Sequence, residues 1–264
     1  MAVDAITLVH EDGTPLRLVL RRWLRPGWQD DDPEFTASRE AAVLERLAGT
    51  GVPAPRLLAV DADGSACGVP AILMTHLAGR RPSNADEARP GRIAAMAAAL
   101  AEIHAADAAL RSVVGPFRPY YELARLRIPA ATSRPGLWRD AIALSRDEPP
   151  SPVLCFLHRD YHPGNTIWLG RELSGIVDWG TASWGPAAVD LAHWRANLGT
   201  RHGVDVADPV LTAYAAVTGA LPADQSWWDI RILLDFVDDP DSRIGNELEG
   251  HETYLAALLA RRGD

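Results

Sequence analysis

Three polar side chains follow short apolar segments near the middle of the chain. Asp160 comes shortly after the apolar run that ends at His158, Asn165 follows five residues later, and Asp178 stands directly after another apolar pair. Apolar runs separated by turn residues predict a strand, a loop and a hairpin, so all three groups would lie at strand ends. A carboxylate and an asparagine at this spacing, followed by a carboxylate on a hairpin strand, form the layout of a phosphoryl-transfer site.

In such a site the protein mainly positions groups and neutralises charge, and each residue type suits one task. Asp160 is the candidate catalytic base, because a carboxylate can accept the proton of an attacking hydroxyl. Asn165 and Asp178 are the candidate metal ligands, since Mg²⁺ prefers oxygen atoms. His158 is grouped with the catalytic residues, with the expectation that it orients the loop backbone rather than exchanging protons. For His162, packing beside Asp178 and contact with substrate are both open.

A different interpretation takes His158, Asp160 and His162 as the ligands of a metal-dependent hydrolase. This motif is short enough to arise often by chance. It also leaves Asn165 and Asp178 without a function, whereas phosphoryl transfer uses both of them. We therefore prefer phosphoryl transfer as the chemistry of this segment.

The sequence around these residues resembles the aminoglycoside phosphotransferase family, the small-molecule branch of the protein-kinase-like fold. The resemblance extends from about Leu16 to about Leu198 and rests on three motifs: His-Arg-Asp160-Tyr-His-Pro-Gly-Asn165, Val-Asp178-Trp-Gly and Gly185-Pro186-Ala-Ala-Val-Asp190-Leu-Ala. It implies an ATP-dependent kinase that uses Mg²⁺ and transfers the γ-phosphoryl group to a hydroxyl of a small molecule, such as an aminoglycoside or an amino alcohol. It also implies that Asp190 supports the catalytic loop.

The same resemblance implies an α+β, bilobal fold. Residues 1–77 would form a small, sheet-rich, nucleotide-binding lobe, and residues 78–264 a larger, mainly helical lobe with the catalytic and substrate sites. The first lobe looks truncated: if residues 16–23 are its third strand, the first strand and the glycine-rich loop over the ATP phosphates are missing. Either the true start lies upstream of Met1, or nucleotide is held without that cover. A nucleotide-binding but inactive kinase-like protein is the alternative, although the three retained polar groups argue against it.

The resemblance also implies which residues of the first lobe bind the nucleotide. Arg21 takes the place where the family usually has lysine, and Glu40 on the following helix is its candidate ion-pair partner. Without the resemblance, a solvent-facing strand arginine and an ordinary exposed helix glutamate are the alternatives. Met74 and His76 lie at the expected hinge, whose backbone groups would hydrogen-bond adenine.

Alternation, turn residues and helix caps predict the remaining elements. The expected strands are 5–10, 16–23, 56–60, 69–74, 153–158, 166–169 and 176–177. The expected helices are 33–48 with Asp32 as N-cap, 90–106, 120–126, 137–145, 187–197, 209–218, 227–235 and 247–261.

Bulk composition restricts the partners and the compartment. The 264 residues carry a formal net charge of −9 and no lysine, which disfavours nucleic acid as a partner. Cys67 and Cys155 do not make a disulfide framework and suit a reducing cytoplasm. The sequence shows neither a signal-peptide pattern nor an apolar run long enough to span a membrane, so a cytoplasmic protein is expected.

An acidic run near the C-terminus offers two interpretations. It is either a solvated loop or a binding surface for a cationic acceptor. Nearby aromatic residues would then be either packing groups or flat surfaces for that acceptor. The acidic residues are Asp235, Asp238, Asp239, Asp241, Glu247 and Glu249, and the aromatic residues are Trp227, Trp228, Phe236 and Tyr254.

Overall fold

The structure is a computed structural model that describes residues 1–9, 11–25, 34–106, 108–147, 153–236 and 248–262. The N-terminal part of the chain forms one antiparallel sheet with the spatial order β1-β2-β4-β3. Its strands are β1 (Ala2–Val9), β2 (Pro15–Arg22), β3 (Leu57–Asp61) and β4 (Ala71–Thr75). Helix α1 (Ala37–Leu47) packs on this sheet and shares an apolar core with it.

Strand β2 brings the first site residue into the interior. The β1–β2 hairpin turns at Gly13, whose φ of +83° suits glycine better than any residue with a Cβ. Alternation along a strand places Val19 and Arg21 on the same face. Arg21 lies opposite Ile72 in β4, and its side chain is buried.

Helix α1 begins later than the sequence signals indicate. Thr36 has an extended backbone, and its hydroxyl accepts the backbone N–H of Arg39 at 3.0 Å, so Thr36 is the N-cap. The predicted start at residue 33 is therefore wrong, because residues 34–36 are not helical. Asp32, the predicted cap, lies outside the described residues.

The C-terminal part contains six α-helices and two short antiparallel strand pairs within the described ranges. The helices are α2 (Pro90–His104), α3 (Pro135–Leu144), α4 (Ala188–His202), α5 (Val204–Thr218), α6 (Gln225–Asp235) and α7 (Leu248–Ala260). Strand β5 (Leu154–Leu157) pairs with β8 (Ser183–Pro186), and β6 (Thr166–Leu169) pairs with β7 (Glu172–Ile176).

Helix α4 is the centre of the helical part. It packs against α5, α6 and α7, and most of its residues are buried. One face of α4 contacts the loop after β5. Asp190 contacts the loop backbone, and His193 contacts the Asp160 side chain. Trp194 makes an edge-to-face contact with Tyr161 of the same loop. A helix enclosed on all sides is a rigid support for a functional loop.

Some predicted elements differ from the structure. The helix expected over 120–126 is only a three-residue 3₁₀ turn, Leu123–Arg125. Helix α5 begins at Val204 and contains Pro209, which was the expected first residue. Strand β7 ends at Ile176, and β8 was not predicted. Helix α7 begins at Leu248, and residue 10, the predicted end of the first strand, lies outside the described residues.

No helix in the described ranges combines the length and the apolar character required to cross a bilayer. The sheet ends at Thr75, and the first long helix begins at Pro90. The division of the chain into two lobes at residue 77 stays a prediction.

Candidate active site

A buried carboxylate holds the backbone of the loop that follows β5. Asp190 on α4 accepts the N–H of His158 at 2.9 Å and the N–H of Arg159 at 2.7 Å. Arg159 has a φ of +71°, which is uncommon for a residue with a long side chain and persists only where surrounding contacts enforce it. The two hydrogen bonds that Asp190 accepts supply that constraint and so fix the position of Asp160, the next residue.

The side chain of Asp160 is held by two donors. Its Oδ1 lies 2.9 Å from Nε2 of His193, and its Oδ2 accepts the side-chain amide of Asn165 at 2.8 Å. Burial alone would raise the pKa of this carboxyl, but the hydrogen bond from His193 and the neighbouring imidazoles lower the pKa well below its usual range. Asp160 is therefore ionised at neutral pH and available as a hydrogen-bond acceptor.

The two histidines beside Asp160 differ in what they can reach. His158 is fully buried; its Nε2–H donates to the Val177 carbonyl at 3.0 Å, and its Nδ1 accepts the Asp160 N–H at 3.3 Å. Both ring nitrogens are therefore occupied by backbone, as an orienting residue requires. His162 accepts the Gly164 N–H at Nδ1, and burial lowers its pKa to about 4, so it is neutral at pH 7.

These contacts do not support the metal-hydrolase interpretation. The ring nitrogens of His158 face backbone atoms rather than a common point with Asp160 and His162. Within the described residues, no group of three or more histidine, cysteine, aspartate or glutamate side chains could hold a metal ion.

Asn165 and Asp178 lie at neighbouring ends of the β6–β7 hairpin. Val177 donates its N–H to the Asn165 carbonyl at 2.9 Å, which brings the two segments together. The side-chain nitrogen of Asn165 donates to Asp160. The side-chain oxygen of Asn165 therefore remains available for a metal ion. Asp178 has a φ of +71° and a side chain that is 31% exposed. One amide oxygen and one accessible carboxylate fit Mg²⁺, which takes few protein ligands when phosphate oxygens and water complete its shell.

Arg21 links the sheet, helix α1 and the hairpin. Its Nη1 lies 2.8 Å from Glu40 Oε1, and its Nη2 lies 2.6 Å from Asp178 Oδ1. Arg21 is 4% exposed and Glu40 is 1% exposed, so neither is the solvent-facing residue that the alternative interpretation proposed. Burial raises the pKa of Glu40 to about 7, although the guanidinium of Arg21 opposes this change.

A cavity of about 200 Å³ opens beside Arg21 and Asp178. Its walls are largely apolar and come from both the sheet and the hairpin: Val3, Val19, Pro55, Met74, Leu77, Ile167 and Val177. An apolar slot whose lining includes a cation and a carboxylate suits a flat ring attached to charged groups. Met74 and His76 both line the slot, but the His76 N–H donates to the Arg17 carbonyl at 3.3 Å. This N–H can bind an adenine only after that hydrogen bond opens.

The structure corrects the interpretation of Asp235. This residue is buried, forms an ion pair with Arg231 at 2.6 Å, and accepts the backbone N–H groups of Tyr120 at 3.1 Å and Tyr121 at 3.3 Å. It is part of neither a solvated loop nor a free acidic surface. Its four-residue spacing from Arg231 on one helix was the available signal for this pair.

Among the other residues of the acidic run and its neighbouring aromatics, the aromatic side chains are packed and one glutamate is exposed. Trp227, Trp228 and Tyr254 are buried, and Phe236 packs on His193 with 4.9 Å between ring centroids. Glu249 is exposed in the first turn of α7. Asp238, Asp239, Asp241 and Glu247 lie outside the described residues.

Two residues near Asp160 were not recognised as site residues from the sequence. His193 stands three residues after Asp190 on α4, and this spacing, visible in the sequence, directs both side chains to one loop. Tyr120 lies in a segment without a motif. The guanidinium carbon of Arg159 lies over its ring, 4.3 Å from the ring centroid.

The α+β fold, with a small sheet beside a helical part and this polar loop between them, defines a kinase-like protein. The family model described as "Phosphotransferase enzyme family" matches residues 5–226, and the chain belongs to that family. This confirms the predicted family and fold class.

Similarity to individual proteins agrees with this assignment. The chain is 35% identical to a homoserine kinase of Chelativorans sp. (strain BNC1) over 166 residues, which are 57% of this chain. The aligned segment spans only about half the length of that relative, 49%.

Solved structures with low sequence identity have the same fold. A putative aminoglycoside phosphotransferase from Ralstonia eutropha JMP134 has a TM-score of 0.67 at 16% identity, covering 98% of this chain and 93% of that one. Amicoumacin kinase, solved in complex with AMP-PNP and Ca²⁺, has a TM-score of 0.61 at 13% identity, covering 97% of this chain and 84% of that one.

Proposed function

We propose that this protein is an ATP-dependent kinase that transfers the γ-phosphoryl group to an alcohol of a small molecule. The observation that carries the proposal is the convergence of Asp160, Asn165 and Asp178 around the β6–β7 hairpin, where Asp178 and its ion-pair partner Arg21 also line an apolar cavity. This combination provides a proton acceptor, two oxygen ligands and a fixed cation, which phosphoryl transfer requires.

The ionised Asp160 is the group that meets the acceptor. Its low pKa makes it a weak base, so it accepts a hydrogen bond from the alcohol and takes the proton late, as the bond to phosphorus forms. Asn165 holds the carboxylate plane, and Asp190 holds the loop backbone. Most of the rate gain from this residue is therefore orientation of the attacking oxygen.

Asn165 and Asp178 would hold Mg²⁺, which neutralises phosphate charge when it is bound. Arg21 supports the same phosphates from the sheet side, and its bidentate guanidinium differs from the point charge of a lysine. Glu40 fixes Arg21 from behind. The apolar walls of the cavity exclude water from one side of the nucleotide and provide a surface for its base.

One observation favours the second candidate, a nucleotide-binding protein without catalysis. Asp178 Oδ1 is already bound to Arg21 at 2.6 Å, so a metal ion at Asp178 shares this carboxylate with the guanidinium. The two candidates differ in one respect only: both bind ATP, but only the kinase forms ADP faster when an acceptor is added.

The proposal also concerns which class of compound accepts the phosphoryl group. The similarity to homoserine kinase makes hydroxylated amino acids the first compounds to test, with amino alcohols and aminoglycosides as further groups. A cationic acceptor is no longer supported by Asp235, because that carboxylate is committed to Arg231 and to the backbone.

The test is an acceptor panel in a coupled assay for ADP release, with the wild type and Asp160→Asn measured side by side. Asp160→Asn keeps the size of the side chain and removes its charge. An acceptor that stimulates ADP release in the wild type alone supports the kinase. ATP binding without stimulation by any panel member favours the inactive candidate.

A further inference from the structure

We propose that His193 is a positioning residue that sets the orientation of the Asp160 carboxylate toward the acceptor alcohol. Its Nε2 lies 2.9 Å from Asp160 Oδ1, and the side chain is 9% exposed. The inference rests on the proposed function, because the orientation of Asp160 affects a rate only if this carboxylate meets an acceptor.

His193 is built into a rigid part of the fold. It stands on α4 three residues after Asp190, so one helix face holds both the loop backbone and the loop carboxylate. Its ring packs on Phe236 of the α6 end, with 4.9 Å between centroids. An imidazole confined by a buried helix and an aromatic ring has little freedom to turn away from Asp160.

The two donors to Asp160 come from different elements. Asn165 donates to Oδ2 from the hairpin side, and His193 reaches Oδ1 from α4. The torsion of a carboxylate about its last bond is soft, so a single donor leaves the group free to rotate. Donors at both oxygens fix the carboxylate plane. The contact of His193 with Oδ1 does not depend on Asn165, which is also a candidate metal ligand.

His162 does not replace this contact. Its Nε2 lies 3.6 Å from the same Oδ1, beyond normal hydrogen-bond distance. Burial keeps its pKa near 4, so it supplies no positive charge at neutral pH. The orientation of Asp160 therefore depends on His193 rather than on the histidine nearer in sequence.

The experiment compares His193→Ala and His193→Gln with His202→Ala. Glutamine retains a side-chain N–H donor, whereas alanine removes it. His202 lies on the same helix, and its partner Glu87 keeps a second contact with Arg201, so this control reports on general disturbance of α4.

For His193→Ala we expect kcat to fall about 10- to 100-fold, the range that misplacement of a catalytic group produces. The acceptor KM and the calorimetric Kd for ATP should stay within about twofold of the wild type, since the donor acts on the base and not on either ligand. His193→Gln should recover most of the loss, and added imidazole should partly restore His193→Ala. His202→Ala should match the wild type.

Two results would overturn the inference: an unchanged kcat in His193→Ala, or equal losses in both His193 variants accompanied by a lower melting temperature and weaker ATP binding. If the wild type phosphorylates no acceptor, the proposed function fails, and crystal structures then decide the positioning separately. Rotation of the Asp160 carboxylate in His193→Ala supports the inference, and an unchanged carboxylate contradicts it.

Discussion

The buried pair of Arg21 and Glu40 makes a quantitative prediction about stability and pH. The carboxyl of Glu40 is 1% exposed, and burial raises its pKa from 4.5 to about 7 even though Arg21 favours its charged form. Since each tenfold change in proton affinity is worth about 1.4 kcal/mol, a change of this size corresponds to about 3 kcal/mol. Glu40 therefore makes stability depend on pH in a window where ordinary carboxyl groups do not.

The sign follows from where the proton binds. Between pH 4.5 and 7 the folded state holds a proton on Glu40 that the unfolded state has lost. The corresponding stability is fully present below pH 4.5 and is lost as the pH rises through 7. Relative to Glu40→Gln, which cannot titrate, the wild type should lose about 3 kcal/mol of unfolding free energy between pH 4.5 and pH 8.

The assay is urea unfolding of both proteins across this range, followed by tryptophan fluorescence. Other titrating groups cancel in the difference between the wild type and Glu40→Gln. Glu45→Gln, on the exposed face of the same helix, is the matched control and should show no such dependence on pH. A difference between wild type and Glu40→Gln that stays constant with pH would refute the reasoning and would mean that Arg21 keeps Glu40 charged throughout.

Three further substitutions test separate parts of the site. Asp160→Asn should reduce phosphoryl transfer by about 10²- to 10⁴-fold while leaving the calorimetric affinity for ATP unchanged. Near-normal turnover would mean that Asp160 is not the catalytic base. Arg21→Ala should weaken ATP binding at least tenfold, about 1.4 kcal/mol, because it removes the cation that we propose to hold the phosphates, and an unchanged Kd would exclude this contact. Asp235→Ala should lower the unfolding free energy by about 3–5 kcal/mol, since it leaves Arg231 buried without its partner; a change below about 0.5 kcal/mol in urea unfolding would restore the solvated-loop interpretation.

Local signals located the candidate catalytic segment in the sequence because its polar residues lie within a short stretch. Asp160, Asn165 and Asp178 each follow an apolar run, so strand ends and polar groups are visible together. The ion pair of Arg21 and Glu40 spans two elements and was reached through the family resemblance, and the structure contains it.

The errors arose where tertiary packing decides between two acceptable local choices. Asp32 and Thr36 are both good helix caps, and the hydrogen bond from Arg39 selects Thr36. Asp235 was grouped with its acidic sequence neighbours, but α6 turns it inward to the backbone of Tyr120. Contacts of this kind join segments that are distant in sequence, so periodicity and composition do not reveal them.

The most direct test of the account follows the γ-phosphoryl group itself. Wild-type protein, Mg²⁺, ATP and a panel of hydroxylated amino acids, amino alcohols and aminoglycosides would be monitored by ³¹P NMR. The account predicts that the γ resonance of ATP is replaced by that of a phosphate monoester on one acceptor, and that Asp160→Asn does not form this product. Bound ATP with no monoester from any acceptor, or the same product from Asp160→Asn, would contradict it.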